Sequence, residues 1–426
     1  MNKKLTATLA IAVLALAAAT TAKADPVKIQ FMHQQIEQDR QEVVQAIIDE
    51  FQAEYPDIEV EQIPVNEDDY DQKITTLGGS GVLPAVVEYS QDQAKTSVAN
   101  MFTSVSAVQD VIDAVGVENI YDGALAVTRT EDGEGFVGVP LCGWVQGIWV
   151  NTGMLKEKGF EVPTNWEEVL AVAEAFYDPD NKQYGIALPT SESAFTEQVF
   201  SQFALSNGAN VFDGEKNVTV NTPEMKEAVE FYKALAAYSM PGSTEVIDVR
   251  DAFVGQSAPM CMYSTYILNR VVEAGFAEDL ALALPSKKEA VAYGAITVLG
   301  IAEGMSEEET EAAKTFVSFL MEPAHNIEWL NMAPGGVQPI LKAVSDDPAF
   351  TDLEARQALA GLNDDIGAAL ENLQLFGTVD GKNFTEMGDI TNTGILSKMM
   401  NNVIVQNADI DAELATAQAA VEGLLQ

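Results

Sequence analysis

Residues 27–89 alternate between the hydrophobic period of a strand and that of a helix. A period of two places apolar side chains on one face of a strand, and spacings of three and four place them on one face of a helix. Strands that alternate with helices pair in parallel, so the sequence predicts an α/β fold. The predicted elements are strand Val27–Phe31, helix Gln38–Tyr55, strand Ile58–Ile63, helix Tyr70–Leu77 and strand Ala85–Tyr89.

The rest of the chain adds helices without an interdomain linker. A length of 426 residues suffices for two or three domains of ~100–200 residues each. No Pro- or Ser-rich linker or internal repeat separates them, so we expect a chain that passes back and forth between two lobes. Helical periodicity is clearest over Trp166–Tyr177, Thr222–Tyr238, Ser306–Met321 and most of Leu353–Gln426.

The N-terminal segment has the pattern of a signal peptide. Lys3 and Lys4 precede an apolar run from Leu5 to Ala19, and Ala22-Lys23-Ala24 follows as a cleavage site. The run is about 15 residues long, below the ~20 that a transmembrane helix needs. We therefore expect cleavage after Ala24, residence in the periplasm, and a mature chain that does not span the membrane.

The charge of the chain excludes two classes of partner. The sequence has 23 Lys and Arg against 65 Asp and Glu, a formal net charge of −42. Such a chain cannot present the positive field that neutralises phosphates, so binding to nucleic acid or to an anionic membrane surface is not expected.

A search for catalytic motifs is mostly negative. The chain has two His (His33 and His325) and two Cys (Cys142 and Cys261), with no HExxH, CxxC, GxSxG or Walker motif. The sequence thus predicts no catalytic residue, metal or cofactor. The two cysteines either form a disulfide or are buried thiols. A glycoside-active enzyme stays open, because its carboxylate separation cannot be measured from sequence.

Aromatic and amide residues follow several predicted strands. Ligands of open α/β sheets bind beyond the carboxyl ends of strands, which draws attention to His33, Gln91, Trp144 and Gln146. Aromatic faces with amide and hydroxyl partners suit a neutral polyhydroxylated ligand, whose hydroxyls need paired donors and acceptors. Trp144 taken alone is better explained by core packing.

The segment Asn151–Leu170 resembles the YN-x-x-LF-x-x-AG-x-x-x-P-x-TW-x-E-L motif of bacterial extracellular solute-binding proteins, which serve ABC importers of sugars. The resemblance covers essentially the whole chain after residue 24. Ala85 stands where the family usually has Asp, and Pro259 where it usually has Ala. Further matching segments, in the family's order, are Pro84–Val87, Tyr184–Ala187, Asn221–Glu224, Phe253–Met260, Glu311–Val317 and Gly336–Pro339.

This resemblance implies two α/β lobes, each a mostly parallel sheet flanked by helices, that close on a ligand by a hinge motion. One lobe would combine residues 25–136 with 286–333, and the other 137–285 with 334–426. It also implies a monomer that delivers a small molecule to permease subunits in the inner membrane. A sensing role in place of transport stays open.

The resemblance also implies a set of ligand-binding residues in the cleft. Their position at strand ends adds His33, Gln146 and Tyr263. For each aromatic residue, the alternative is a place in the core of a lobe. The residues implied by the resemblance are Tyr70, Gln91, Gly143, Trp144, Phe195, Ser264, Thr265, Tyr266, Tyr293, Gly294 and Gly336.

The class of ligand depends on the basic residues. The chain resembles a branch that includes glycerol-3-phosphate binders, which hold phosphate with an Arg in the C-terminal segment. Here Asn383–Ser397 contains no basic residue, and Arg129, Arg250 and Arg270 are poorly placed for that role. We therefore expect a neutral sugar, glycoside or polyol, with glycerol-3-phosphate or another phosphoester as the alternative.

Overall fold

A computed structural model describes residues 25–426, and the predicted signal peptide lies outside this range. The strands are β1 Val27–His33, β2 Ile58–Pro64, β3 Val86–Ser90, β4 Val139–Asn151, β5 Met260–Ser264, β6 Leu280–Ala283, β7 Tyr293–Ile301, β8 Gln338–Pro339, β9 Thr378–Val379 and β10 Lys382–Asn383.

Helices separate most of these strands. The helices are α1 Gln38–Glu54, α2 Glu67–Gly79, α3 Gln91–Ala99, α4 Val105–Val115, α5 Asp122–Val127, α6 Thr152–Glu157, α7 Trp166–Phe176, α8 Ala194–Ser206, α9 Pro223–Ala236, α10 Val246–Val254, α11 Leu268–Ala274, α12 Glu307–Leu320, α13 Pro323–Leu330, α14 Lys342–Ser345, α15 Pro348–Thr351, α16 Glu354–Gln357, α17 Asn363–Glu371, α18 Glu386–Thr393, α19 Ile395–Ile404 and α20 Ile410–Leu424.

The predicted N-terminal alternation is confirmed, from β1 through β3. Helix α2 begins at Glu67, three residues before its predicted start, because the side chain of Asn66 accepts a hydrogen bond from the backbone N–H of Asp68 and caps the helix. The capping box that begins α12 is also present, since Ser306 and Glu309 each accept a hydrogen bond from the other's backbone N–H.

One mixed sheet runs through the molecule. Its strand order is β2-β1-β3-β7-β4-β5, and β6 and β8 pair with β4 off this path. Strand β1 is parallel to β2 and to β3, as the alternation predicts. Pairing is antiparallel between β3 and β7 and around β4. The sheet is therefore less parallel than the resemblance implied, because β4 leaves the first half of the molecule and β7 returns to it.

Strand β4 is shared between the two halves of the sheet. Its residues from Val139 to Gln146 pair with β7, and those from Gln146 to Asn151 pair with β5 or β6. The short strand β8 pairs with Cys142 and Gly143. Strands β4, β7 and β8 therefore meet around Cys142 and Gly143, a connectivity that is typical of a hinge.

The buried apolar side chains form two clusters, and β4 contributes to both of them. The first contains Phe31, Phe51 and Trp329, and the second contains Trp166 and Tyr232. In the C-terminal part of the chain, Leu341 to Leu375 contribute to the first cluster, and Phe376 to Val421 to the second. The lobe boundaries given above stay a prediction.

We expect the contact between β4 and β7 to tolerate no side chain at Gly294. A Cβ there would lie 2.3 Å from the carbonyl oxygen of Trp144 and 2.5 Å from Leu373 Cδ1. Gly294→Ala should lower the free energy of unfolding by about 2 kcal/mol or more, because backbone atoms must move. Urea unfolding would measure this.

Gly388→Ala is the matched control, because a Cβ at that position in α18 meets nothing within 4 Å. Alanine favours a helix over glycine, so this variant should be as stable as wild type or up to ~1 kcal/mol more stable. Equal unfolding midpoints for the two variants would contradict the close approach at Gly294.

Candidate ligand cleft

Four of the predicted site residues share one face of the sheet where β4 passes between the halves. Gln146 of β4 lies directly between Ser264 of β5 and Tyr293 of β7. Directly paired residues point to the same face of a sheet, and so do residues two apart along a strand, which adds Trp144. The rings of Trp144 and Tyr293 lie 5.8 Å apart. We call these four residues the hinge row.

Gln146 is the most unusual residue of the hinge row. It is 1% exposed, and neither its Oε1 nor its Nε2 has a hydrogen-bond partner among the described residues. Leaving a buried polar atom without a partner costs about 1–3 kcal/mol. Native proteins accept this cost rarely, and a group that binds to Gln146 would remove it.

The predicted glycines let the backbones approach one another closely. A Cβ on Gly143 would lie 2.8 Å from the carbonyl oxygen of Ala295. The same holds for Gly294, whose contact with Trp144 is described above. Gly143 and Gly294 therefore position the hinge row.

Helix α8 contains the predicted residue Phe195 and a buried acid, Glu197. The rings of Phe195 and Tyr263 meet edge to face at 5.8 Å, which brings together two predicted residues. Two residues after Phe195, Glu197 is 5% exposed, and its Oε1 accepts a hydrogen bond from Thr391. Its Oε2 has no partner among the described residues, and burial raises the pKa of Glu197 to about 7. Glu197 also acts electrostatically on Tyr293.

Sequence reasoning missed Glu197. Its one signal is that it is the only charged residue in the segment AFTEQVFSQFALS. A single charge in an otherwise uncharged, largely buried helix is a signal, because charged side chains are seldom buried without a partner.

Three further predicted residues meet at the turn before β8. Thr265 Oγ1 donates a hydrogen bond to the carbonyl oxygen of Gly336, at 2.6 Å. The ring of Tyr266 lies against the same glycine, where a Cβ would be 2.7 Å from ring carbons. Tyr266 is 51% exposed and lies within electrostatic range of Arg40 and Glu88. Its ring therefore lies near charged groups of the first half.

The first-half rim is organised around Glu88. This residue of β3 is 5% exposed. Its Oε2 accepts a hydrogen bond from the backbone N–H of Gln34 at 2.9 Å, and its Oε1 accepts one from Gln35 Nε2 at 3.1 Å. Burial raises the pKa of Glu88 to about 7, although these donors act in the opposite direction. Gln91, a predicted residue, accepts a hydrogen bond from the Ile296 N–H at 2.6 Å and so ties α3 to β7.

His33 and Tyr70 lie inside the first half, away from the hinge row. His33 is fully buried with its Nε2 3.1 Å from Gln62 Oε1, and burial lowers its pKa to about 4. The Tyr70 hydroxyl lies 3.0 Å from the carbonyl oxygen of Met32 and 2.8 Å from that of Glu88. Both positions favour the core alternative, and ligand contact by either residue stays a prediction.

Arg356 is a second residue that sequence reasoning passed over. It is 5% exposed and donates hydrogen bonds to Gln338 Oε1 and to the carbonyl oxygen of Val337. Its guanidinium lies 3.7 Å from the ring centroid of Phe350, and burial lowers its pKa to about 10. Through these hydrogen bonds, Arg356 stabilises the turn that contains Gly336.

The two cysteines are buried free thiols. Cys142 pairs with β7 and β8 near the start of β4, whereas Cys261 lies opposite Trp149 near its end. Burial raises the pKa of Cys142 to about 12, which disfavours the reactive thiolate. Within residues 25–426, no helix has the length and apolar character needed to cross a membrane.

Comparisons with known proteins agree with this architecture. The model of the bacterial extracellular solute-binding protein family matches residues 46–358. The Escherichia coli K12 protein YcjN, named as an ABC transporter periplasmic-binding protein, is 45% identical over 94% of this chain and 93% of its own length.

Solved structures share the fold at low sequence identity. The sugar-binding protein MalE of Xanthomonas citri superposes with a TM-score of 0.77 at 16% identity, over 94% of this chain and 97% of that one. An ABC transporter solute-binding protein of Agrobacterium radiobacter K84, solved with ribitol, gives a TM-score of 0.68 at 19% identity, over 94% and 99% of the two chains.

These structural matches confirm the expected two-lobed α/β fold, and the family match and the YcjN relative confirm the resemblance found in the sequence. The chain belongs to the bacterial extracellular solute-binding protein family.

Proposed function

We propose that this protein is the periplasmic receptor of an ABC importer and that it captures a neutral sugar, glycoside or polyol between its lobes. Closure about β4 and its neighbours would enclose the ligand, and the closed form would deliver it to the permease. Residues 1–24 would direct export and be removed after Ala24, as the N-terminal sequence predicts. The observation that carries the ligand class is the unpaired, buried amide of Gln146.

An unpaired amide is complementary to a hydroxyl group. Gln146 offers an acceptor oxygen beside two donor hydrogens, and a hydroxyl group both donates and accepts. A ligand with neighbouring hydroxyls would satisfy both ends of the amide. The rings of Trp144 and Tyr293, on the same face, offer apolar surface for the C–H faces of such a ligand.

The charges around the cleft favour a neutral ligand over an anionic one. Glu88 and Glu197 contribute nearly buried carboxyl groups, and Asp92 acts electrostatically on Tyr293. Carboxylates accept hydrogen bonds from hydroxyls and repel phosphate. The cations of this region are engaged with protein groups. Arg356 donates hydrogen bonds to Gln338 and Val337, Arg40 donates one to Gln35 Oε1, and Lys95 pairs with Asp92.

The relatives point in the same direction. The Xanthomonas citri structure is named a sugar-binding protein, and the Agrobacterium radiobacter structure contains ribitol. We infer that the present protein binds its ligand without chemical change, since the family and its relatives are named as solute-binding proteins. Recovery of altered sugar after incubation with the protein would argue for the glycosidase alternative.

A thermal-shift screen tests the proposal. Neutral sugars, polyols, glycosides and glycerol-3-phosphate would each be added to the mature protein. A ligand at 100 times its dissociation constant should add about 2.7 kcal/mol of stability, which corresponds to several degrees. We expect a neutral compound to give the largest shift. A shift with glycerol-3-phosphate alone would establish the phosphoester alternative.

Gln146→Leu separates binding from folding. We expect ligand affinity to fall by at least tenfold, because the amide no longer pairs with the ligand. The empty variant should be as stable as wild type or more stable, because it no longer buries an unpaired amide. Isothermal titration and urea unfolding would measure the two effects.

Gln109→Leu is the control for Gln146→Leu, since Gln109 lies on α4 and bonds to Asp113. It should leave affinity unchanged. A Gln146→Leu protein that is destabilised but binds normally would assign Gln146 a structural role and contradict the proposal.

Glu197 should make the stability of the empty protein depend on pH. Its pKa is raised from 4.5 to about 7 in the folded state, so its ionisation opposes folding. The contribution of Glu197 to the free energy of unfolding should therefore fall by up to ~3 kcal/mol as pH rises from about 4.5 to 7. Glu197→Gln should match wild type near pH 4.5 and exceed it at pH 8 in urea unfolding.

Glu192→Gln is the matched control, because Glu192 is exposed and lies five residues earlier. It should change stability by less than ~0.5 kcal/mol at either pH. If the stabilities of Glu197→Gln and Glu192→Gln depend on pH in the same way, ionisation of Glu197 costs no stability, and the prediction is wrong.

A further inference from the structure

Helices α1 and α13 bring together three potential metal ligands, away from the cleft. Glu50 lies on α1, and His325 and Glu328 lie three residues apart on α13, on one face of that helix. One ligand atom from each residue lies within 4.8 Å of the other two. This His-Glu-Glu cluster, Glu50, His325 and Glu328, plays no part in the function proposed above.

The imidazole of His325 is held in place with a free ring nitrogen. It stacks on the ring of Phe319, with the centroids 3.7 Å apart and the planes at 20°. The side chain is only 12% exposed. Its Nδ1 is buried and has no hydrogen-bond partner among the described residues. A fixed imidazole whose nitrogen faces carboxylates is a preformed donor for a cation.

The spacing fits an ion between the ligands better than a direct hydrogen bond. His325 Nδ1 lies 3.6 Å from Glu50 Oε2. A hydrogen bond would place these atoms about 2.7–3.2 Å apart. Two ligands of a tetrahedral ion, each at about 2.0–2.1 Å from the metal, lie about 3.4 Å from one another.

The local charge also favours a cation. A carboxylate oxygen of Glu50 lies within 4.8 Å of one of Glu328, so the two negative charges repel each other. A third acid, Glu322, places its Oε2 3.8 Å from Nε2 of the same imidazole. Among the ion pairs of the described residues, Glu50 and Glu328 have no Lys or Arg partner. A divalent ion would relieve this repulsion.

We propose that the His-Glu-Glu cluster binds one divalent first-row transition-metal ion, with Zn²⁺ as the ion to test. An imidazole suits such ions, whereas Ca²⁺ and Mg²⁺ prefer oxygen ligands alone. Three protein ligands leave room for water at a fourth position. The ion would join α13 to α1. The neighbouring residue Asn326 donates a hydrogen bond to the carbonyl oxygen of Leu141 in β4. By fixing α13, the ion would also stabilise the position of β4.

Zinc titration of tag-free, chelator-treated protein tests this site without any sugar ligand. Isothermal titration should give one Zn²⁺ per chain, and Zn²⁺ should raise the melting temperature by several degrees. Co²⁺ should show the visible absorption of a nitrogen- and oxygen-bound ion, and His325→Gln should abolish it. The absence of saturable binding would overturn the proposal, and so would Ca²⁺ binding as tightly as Zn²⁺.

Two matched variants separate a site from general attraction by an acidic surface. Glu50 and Glu322 have side chains of equal exposure, 55%, and each lies near one nitrogen of His325. Glu50→Gln should weaken Zn²⁺ binding at least tenfold, and Glu322→Gln by less than threefold. Equal weakening by the two variants would mean that Zn²⁺ responds to charge alone, and the proposal would fail.

Discussion

Strand β4 pairs with four other strands within 13 residues, and the positions of both lobes follow from those pairs. Its first part belongs with β7, and its last part with β5 and β6. Because β4 is continuous between the two halves, movement of one lobe relative to the other must change the pairing geometry near the middle of β4. The hinge row lies at that point, around Gln146. In the function proposed above, a ligand bound there would contact the residues about which the lobes turn, so its binding energy would drive closure.

The cleft keeps polar groups that the lobes themselves leave unsatisfied. Gln146 and Glu197 are buried with atoms that have no partner among the described residues. Each such group lowers the stability of the empty protein, since burial removes water without a replacement. In the function proposed above, a hydroxylated ligand would supply the missing partners, and ligands that lack these hydroxyls would bind more weakly. His33 and Tyr70, by contrast, have satisfied polar atoms and support the loops around Glu88.

Local patterns in the sequence predicted the local structure well. The alternation through β3 and the capping box at Ser306 depend on neighbouring residues, and both are present. Long-range features were harder. Position after a strand does not determine which way a side chain points, as the buried side chain of His33 shows. Glu197 and Arg356 were missed because their burial depends on segments distant in sequence, Thr391 for one and Val337 for the other. Periodicity likewise does not reveal which core a helix joins.

A crystal structure with the ligand identified by screening would test the central claim most directly. The account predicts a closed cleft in which Oε1 and Nε2 of Gln146 each lie within hydrogen-bond distance of a ligand hydroxyl, with Trp144 or Tyr293 against a C–H face. A ligand bound elsewhere, or one that leaves both amide atoms of Gln146 unpaired, would contradict it.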